Sequence, residues 1–246
     1  MTYYERIGVG YAERRRPDPR IERRILEALG DARSVINVGA GAGSYEPTDR
    51  YVVAVEPAVQ MLEQRPEGAA PAVRAVAERL PFPDASFDAA LALLTIHHWT
   101  DIERGVAELR RVAARQVVLG FDVSRQDDFW LVRDYVPAWA ALEWKRAPTV
   151  SSTLSLFQNP RVQPVPIPAD CTDGFGGAYW KRPEAYLDPD VRQSISSLAQ
   201  LPPEDLEPGL TRLTDDLTSG RWHERNAELL DLDELDLGYV LVIAGR

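Results

Sequence analysis

Residues 34–43 read Ser-Val-Ile-Asn-Val-Gly-Ala-Gly-Ala-Gly, a short apolar run that passes without a break into three alternate glycines. Ser34 to Val38 has the length and β-branched content of a buried strand. Gly39, Gly41 and Gly43 let the chain turn sharply behind it and bring backbone against a ligand with no Cβ in the way. Any tight turn uses glycine, so this stretch alone specifies a ligand near a strand end and nothing finer.

The surrounding pattern supplies the sheet. Upstream, residues 19–30 place Ile21, Ile25, Leu26 and Leu29 at helical spacing, with Pro19 to open the helix and Gly30 to stop it. Downstream, Tyr51 to Val55 reads as a second strand, and helical spacing restarts over Ala58 to Gln64 in βαβ alternation. Ala72 to Val76 fits a weaker third strand, Phe87 to Leu94 a fourth, Ile102 to Val112 a helix and Gln116 to Phe121 a fifth strand. An edge strand at Val162 to Ile167 and a closing strand at Gly238 to Gly245 complete the count. The expected fold is α/β: a Rossmann-like, seven-stranded, mostly parallel sheet with helices on both faces and a helical and loop insertion after strand five. The expected organisation is one domain, with an arm and helix over 1–30, a cofactor-binding core over 31–122, an insertion over 123–225 and the closing strand over 226–246. Within the insertion, Phe129 to Trp144, Pro189 to Leu201 and Glu204 to Leu217 carry helical spacing, and no second core is apparent.

A length of 246 residues with 45% hydrophobic content suits a single domain of this kind. The formal charge of −10 disfavours a general nucleic-acid or anionic-membrane surface. One cysteine, Cys171, rules out an internal disulfide framework and suits a reducing compartment. With no apolar leader region and no run of about 20 apolar residues, a cytoplasmic protein is expected. Lys145 and Lys181 are the only lysines among many arginines, a bias that suits a GC-rich bacterial source.

Glu56 narrows the ligand. It ends the second strand, where a carboxylate can accept both hydroxyls of a ribose. The choice then lies between a dinucleotide and S-adenosylmethionine. Dinucleotide loops read GxGxxG, whereas this one reads GxGxG and runs into Tyr45-Glu46-Pro47, poor company for a pyrophosphate.

Three ordered motifs, VINVGAGAGSY, VVAVEP with QML, and AERLPFPDASFDAALALLTIHHW, resemble those of class I S-adenosylmethionine-dependent methyltransferases. They are most similar to the small-molecule branch, of the methyltransferase type 11 kind, over residues 11–122. The resemblance implies that Gly39, Gly41 and Gly43 cradle the methionine part and ribose of the cofactor. It implies that Glu56, next to Pro57, holds the ribose hydroxyls and that Met61 packs near the adenine. Ala77 and Glu78 would lie beside the adenine edge, and Leu94 and Thr95 would enter the cofactor pocket. Two departures stand out: Val76 replaces an aspartate common before the Ala-Glu pair, and Val112 to Gln116 replaces the usual Leu-Lys-Pro-Gly-Gly turn.

The segment from Tyr11 to Pro17 is similar to an arm that such enzymes fold over the cofactor. Tyr11 would cover the sulfonium, and Arg16, beside the proline, would pair with the methionine carboxylate. His97 and His98 follow strand four at the carboxyl edge of the sheet and are the candidate catalytic bases. In-line positioning matters more than proton transfer for this reaction, so packing or cofactor contacts are the competing roles. Adjacent histidines with no third ligand in register predict no metal. Trp130, Tyr135, Trp139, Tyr179 and Trp180 suggest a partly apolar cavity for a small-molecule methyl acceptor. No nucleic-acid or membrane partner is expected. A non-catalytic S-adenosylmethionine-binding protein and, more remotely, an NAD-dependent oxidoreductase are the alternatives.

Overall fold

The computed structural model describes residues 14–245, which leaves Tyr11 outside the described residues. Helix α1 (Pro19–Leu29) precedes β1 (Ser34–Val38) and β2 (Tyr51–Val55). A short α2 (Val59–Glu63) leads to β3 (Ala72–Val73), then β4 (Phe87–Leu93), α3 (Ile102–Val112) and β5 (Ala113–Phe121). Among the described residues the insertion holds α4 (Pro137–Trp144), α5 (Val150–Ser155), β6 (Arg161–Pro164), β7 (Ile167–Pro168), α6 (Pro189–Ser194) and α7 (Pro203–Thr218). Short helices α8 (Arg221–Arg225) and α9 (Ala227–Leu230) lead to β8 (Glu234–Leu235) and β9 (Tyr239–Gly245).

Seven strands form one sheet in the order β3-β2-β1-β4-β5-β9-β6. The first five run parallel, and β9 lies antiparallel between β5 and β6. This is the expected Rossmann-like architecture, with strand order reversing between β1 and β4. That reversal opens a crevice at the carboxyl ends of the strands, where ligands of open α/β sheets bind.

β1 alternates between two cores. Val35 joins Ile21, Ile25 and Leu29 of α1 on one face, while Ile36 and Val38 meet Val106, Leu109 and Val112 of α3 on the other. Asp18 and Asp101 start these two helices by accepting the backbone N–H of Arg20 and of Arg104.

The connection from β1 to β2 contains no helix. In its place Tyr45, at φ +62°, drives its ring into the core at 3% exposure. Its hydroxyl donates to Asp173 Oδ2 at 3.0 Å and accepts the backbone N–H of Asp18 at 3.1 Å. One buried side chain therefore ties the glycine turn to the start of α1 and to the insertion.

The insertion departs from expectation in three places. The single helix expected over 129–144 is broken, because Pro137 lacks an N–H and pushes Val136 out of helical geometry (φ −129°, ψ 64°). Leu131–Tyr135 is a π-turn closed by Val136 N–H on the Leu131 carbonyl at 2.8 Å. The helix expected over 189–201 ends at Ser194 and resumes only as a 3-10 turn at Leu198–Gln200. The edge strand stops at Pro164, since Pro164 and Pro166 cannot extend a ladder, and Ile167–Pro168 pairs instead with β8.

Of the insertion aromatics expected at a cavity, Trp139 lines a small pocket beside the strand ends, whereas Trp130, Tyr135 and Trp180 belong to the core. Trp130, Tyr135, Trp180, Tyr186 and Trp222 are each at most 2% exposed and join the cluster that reaches α1 and the sheet. Trp130 meets Trp222 edge-on at 5.1 Å and donates from Nε1 to the Trp180 carbonyl at 2.8 Å. The insertion thus shares one hydrophobic core with the sheet face it covers.

Candidate active site

Three chain segments build the crevice at the strand ends. The turn after β1 is held by the N–H groups of Gly39 and Ala40, both donating to the Val55 carbonyl, at 2.8 and 3.0 Å. Gly39, Gly41 and Gly43 all have positive φ, at +71°, +54° and +98°. A Cβ at Gly39 would strike Thr95, whereas one at Gly41 would meet nothing within 4 Å. The backbone at Gly41 is bare on the cavity side, as a cradle for a ligand requires.

Glu56 completes the turn. Its carboxylate is 6% exposed and accepts the N–H of Gly41 on Oε2 and of Ala58 on Oε1, each at 2.9 Å. Burial raises its pKa above the ordinary glutamate value, against the opposing pull of these two backbone bonds and of Arg65.

These elements enclose a cavity of about 320 Å³. Gly39, Gly41, Glu56, Pro57, Met61, Ala77, Glu78, Leu94 and Thr95 all line it, together with His98. Met61 serves two purposes at once, 1% exposed in the packing and part of the cavity wall. Leu94 takes φ +52° as the chain leaves β4, with its N–H on the Leu119 carbonyl at 2.8 Å. Glu78 is engaged structurally: Oε1 accepts the N–H of Thr100 at 2.7 Å, its hydroxyl at 2.9 Å and the N–H of Asp101 at 3.2 Å. Burial opposes its charge, but hydrogen bonds from its own backbone, Thr100 and Asp101 outweigh that and hold its pKa below the ordinary value.

Two expected residues stand elsewhere. Gly43 is outside the lining, and a Cβ there would sit 3.1 Å from Arg65 Nη1, against the Arg65–Glu46 ion pair of 2.6 Å. Its glycine serves the turn. Arg16 is exposed and does not line the cavity, which is reached instead by Arg15. Arg15 Nε donates to Asp173 Oδ1 at 2.7 Å and its carbonyl accepts from Ser44 Oγ at 2.9 Å, so the adjacent proline did not mark the inward-facing arginine.

Asn37 was not anticipated. It is 2% exposed and lines the cavity; Nδ2 donates to Glu46 Oε1 at 3.1 Å, while Oδ1 has no hydrogen-bond partner. A buried polar atom without a partner costs about 1–3 kcal/mol, so an unsatisfied oxygen in a cavity wall marks a place for a ligand donor. The signal was present as the one polar residue inside an otherwise apolar strand.

A second pocket of about 50 Å³ adjoins the first, and Arg15, Leu94 and His98 line both. His97 lines only the smaller one of these two, with Gln126, Trp139, Glu143 and Tyr239. Burial, reinforced by the positive charge of Arg146, pushes His97 down to about 3. Burial also lowers His98 far below the ordinary value, with His97 and Arg146 adding to it and Glu143 opposing. Both rings are neutral near pH 7. Cys171 is 1% exposed, and burial pushes its thiol up to about 12, which makes it inert packing.

The residues present fit S-adenosylmethionine: a bare glycine turn, a buried carboxylate at the end of β2, and an unsatisfied Asn37 oxygen in the same wall. The comparisons with known proteins agree. Residues 36–120 match the model of the methyltransferase domain family. An uncharacterised methyltransferase of Bacillus subtilis, YcgJ, is 31% identical over 114 residues, which span 42% of this chain and 41% of that protein. A solved structure of a methyltransferase assigned to an antibiotic biosynthesis pathway in Anabaena variabilis superposes with a TM-score of 0.87 at 31% identity, covering 94% of this chain and 98% of that one. A further one from Bacillus halodurans, with a TM-score of 0.54, 15% identity and coverage of 90% and 96%, shares the fold. The chain belongs to the class I S-adenosylmethionine-dependent methyltransferases.

Proposed function

We propose that this chain transfers the methyl group of S-adenosylmethionine to a small molecule whose reacting end enters the 50 Å³ pocket. The observation that carries this reading is the shared wall of Arg15, Leu94 and His98, which sets a small chamber directly against the larger cavity. The cofactor supplies an electrophilic methyl group on sulfur. The protein's contribution would be to hold acceptor and methyl in line and to exclude water, a task that falls to the insertion. Glu56 would hold the ribose hydroxyls, Asn37 Oδ1 and the glycine turn the amino-acid end, and Arg15 the methionine carboxylate. The pathway assignment of the Anabaena relative supports a biosynthetic small molecule as acceptor. The single cysteine of the chain suits a reducing cytosol. No helix among the described residues is long and apolar enough to cross a membrane.

Isothermal titration calorimetry with S-adenosylmethionine and S-adenosylhomocysteine tests the cofactor half. Micromolar binding that Glu56→Ala weakens at least thirtyfold is expected. Equal affinity in the variant would sink the assignment of Glu56.

A further inference from the structure

Helix α3 carries a buried glycine, Gly105, that its backbone does not call for, since this residue lies inside the helix and has no positive φ. Glycine is a poorer helix former than alanine, so the reason for it lies in packing. A Cβ at this position would overlap Trp99 Cε3 and stand 2.7 Å from Cζ3. The benzene half of the indole therefore rests against the helix backbone, in space that only a missing side chain leaves open.

Trp99 is half-buried and lines the 320 Å³ cavity, whereas Gly105 does not. Although Trp99 follows β4, its loop is drawn to the β3 side of the crevice: Thr100 N–H donates to Glu78 Oε1 at 2.7 Å, and Arg104 Nε donates to the Glu78 carbonyl at 2.9 Å. Pro57, Met61, Ala75, Val76 and Ala77 line the same cavity from the ends of β2 and β3. Val76 is 47% exposed, an apolar side chain with surface still to cover. On the methyltransferase reading above, on which this inference rests, Glu56 takes the ribose and the glycine turn the amino-acid end. The apolar side of the cavity is then left to the base, whose flat aromatic surface suits an indole and a valine.

We propose that Trp99 is the wall against which the purine base of the cofactor binds, and that Gly105 is the positioning residue that sets where this wall stands. Gly105 acts through Trp99 alone, from a helix position outside the cavity. A methyl group added at residue 105 displaces the indole and changes the surface that the base meets. Plain core packing would account for the missing side chain at Gly105, but it would not link that residue to cofactor affinity.

The test is calorimetry on the full chain with S-adenosylhomocysteine and with 5′-methylthioadenosine, which keeps the base and ribose but lacks the amino-acid end. Trp99→Leu, whose side chain has no atom in place of Cε3 and Cζ3, is expected to weaken both ligands by at least about fivefold. Gly105→Ala should weaken both to a similar degree in the native background and by less than about twofold when added to Trp99→Leu. A purely structural glycine would instead lower the melting temperature and leave both affinities in place. A smaller loss in Trp99→Leu, a loss confined to S-adenosylhomocysteine, or an equal effect of Gly105→Ala in the two backgrounds overturns the assignment of these two residues alone. Trp99→Leu decides by itself if Gly105→Ala does not fold. Failure of the native chain to bind either ligand overturns the cofactor reading and this one with it.

Discussion

A Cβ on Gly39 would overlap the Thr95 hydroxyl oxygen, so the exits of two neighbouring parallel strands are packed in direct contact where the cofactor turn begins. The glycine at this position is required twice, by its φ of +71° and by the threonine against it. Gly39→Ala is therefore expected to lower stability by about 3 kcal/mol or more, adding a left-handed backbone cost of about 1–2 kcal/mol to an overpacking cost of about 1–3 kcal/mol. Pairing it with Thr95→Ala should recover only part of the steric cost, because the Cβ that alanine retains would still stand 2.8 Å away. Urea midpoints of the two variants check this, and full recovery in the pair would show that backbone conformation contributes nothing.

Glu56 links cofactor affinity to pH. Burial raises its folded pKa above the ordinary value, so on acidification the carboxyl takes up a proton sooner than an exposed glutamate would. Ribose hydroxyls donate to the ionised form. Affinity for S-adenosylhomocysteine is thus expected to rise with pH through the raised pKa and then level off, by calorimetry between pH 4.5 and 8. The rising limb should be absent in Glu56→Gln; its persistence there would assign it to another group.

Arg15 and Arg16 are neighbours with opposite expected effects. Arg15 lines the cavity and neutralises an Asp173 side chain with no exposed surface, whereas Arg16 is exposed. Removing one partner of a buried ion pair costs about 3–5 kcal/mol, so Arg15→Ala should both destabilise the fold and weaken cofactor binding more than tenfold. Arg16→Ala should change either by less than about twofold. Thermal melts and titration calorimetry on the two variants decide between them, and a larger effect at Arg16 would restore the proline-adjacent residue as the carboxylate partner.

His97 makes a prediction about acid stability. Its folded pKa near 3 lies below the ordinary value of 6.5, so between those limits the unfolded chain binds a proton that the folded protein does not. Stability contributed by the neutral ring is complete above about pH 6.5 and falls as pH drops toward 3. His97→Gln should flatten the pH dependence of unfolding free energy in that window by up to one proton. An unchanged slope would mean that the ring protonates freely in the folded state.

The strands, the glycine turn, Glu56 and the segment from Ala77 to Thr95 were legible because they are local: apolar period, turn chemistry and a carboxylate at a strand end are written in adjacent residues. β1 and β2 have the expected bounds at Ser34–Val38 and Tyr51–Val55, and a seven-stranded, mostly parallel sheet was expected from the alternation, whereas the strand order came from the structure. The insertion was less legible. Its aromatics suggested a partly apolar cavity, yet Trp130 and Trp180 are buried in the core and Trp139 reaches the smaller pocket, since which face of a π-turn or loop meets the sheet depends on contacts 50 or more residues away in sequence.

Residue chemistry along the chain thus specified the fold, the cofactor class and most of the turn that would hold it. Folding chose among chemically equivalent neighbours: Arg15 over Arg16 at the cavity, and His98 over His97 at the junction of the two chambers. Those choices rest on burial and on pairing between residues distant in sequence, such as Arg15 with Asp173 and Glu143 with Ser197. Such pairing leaves no periodic signature in the sequence, because it is set by where the insertion packs against the sheet.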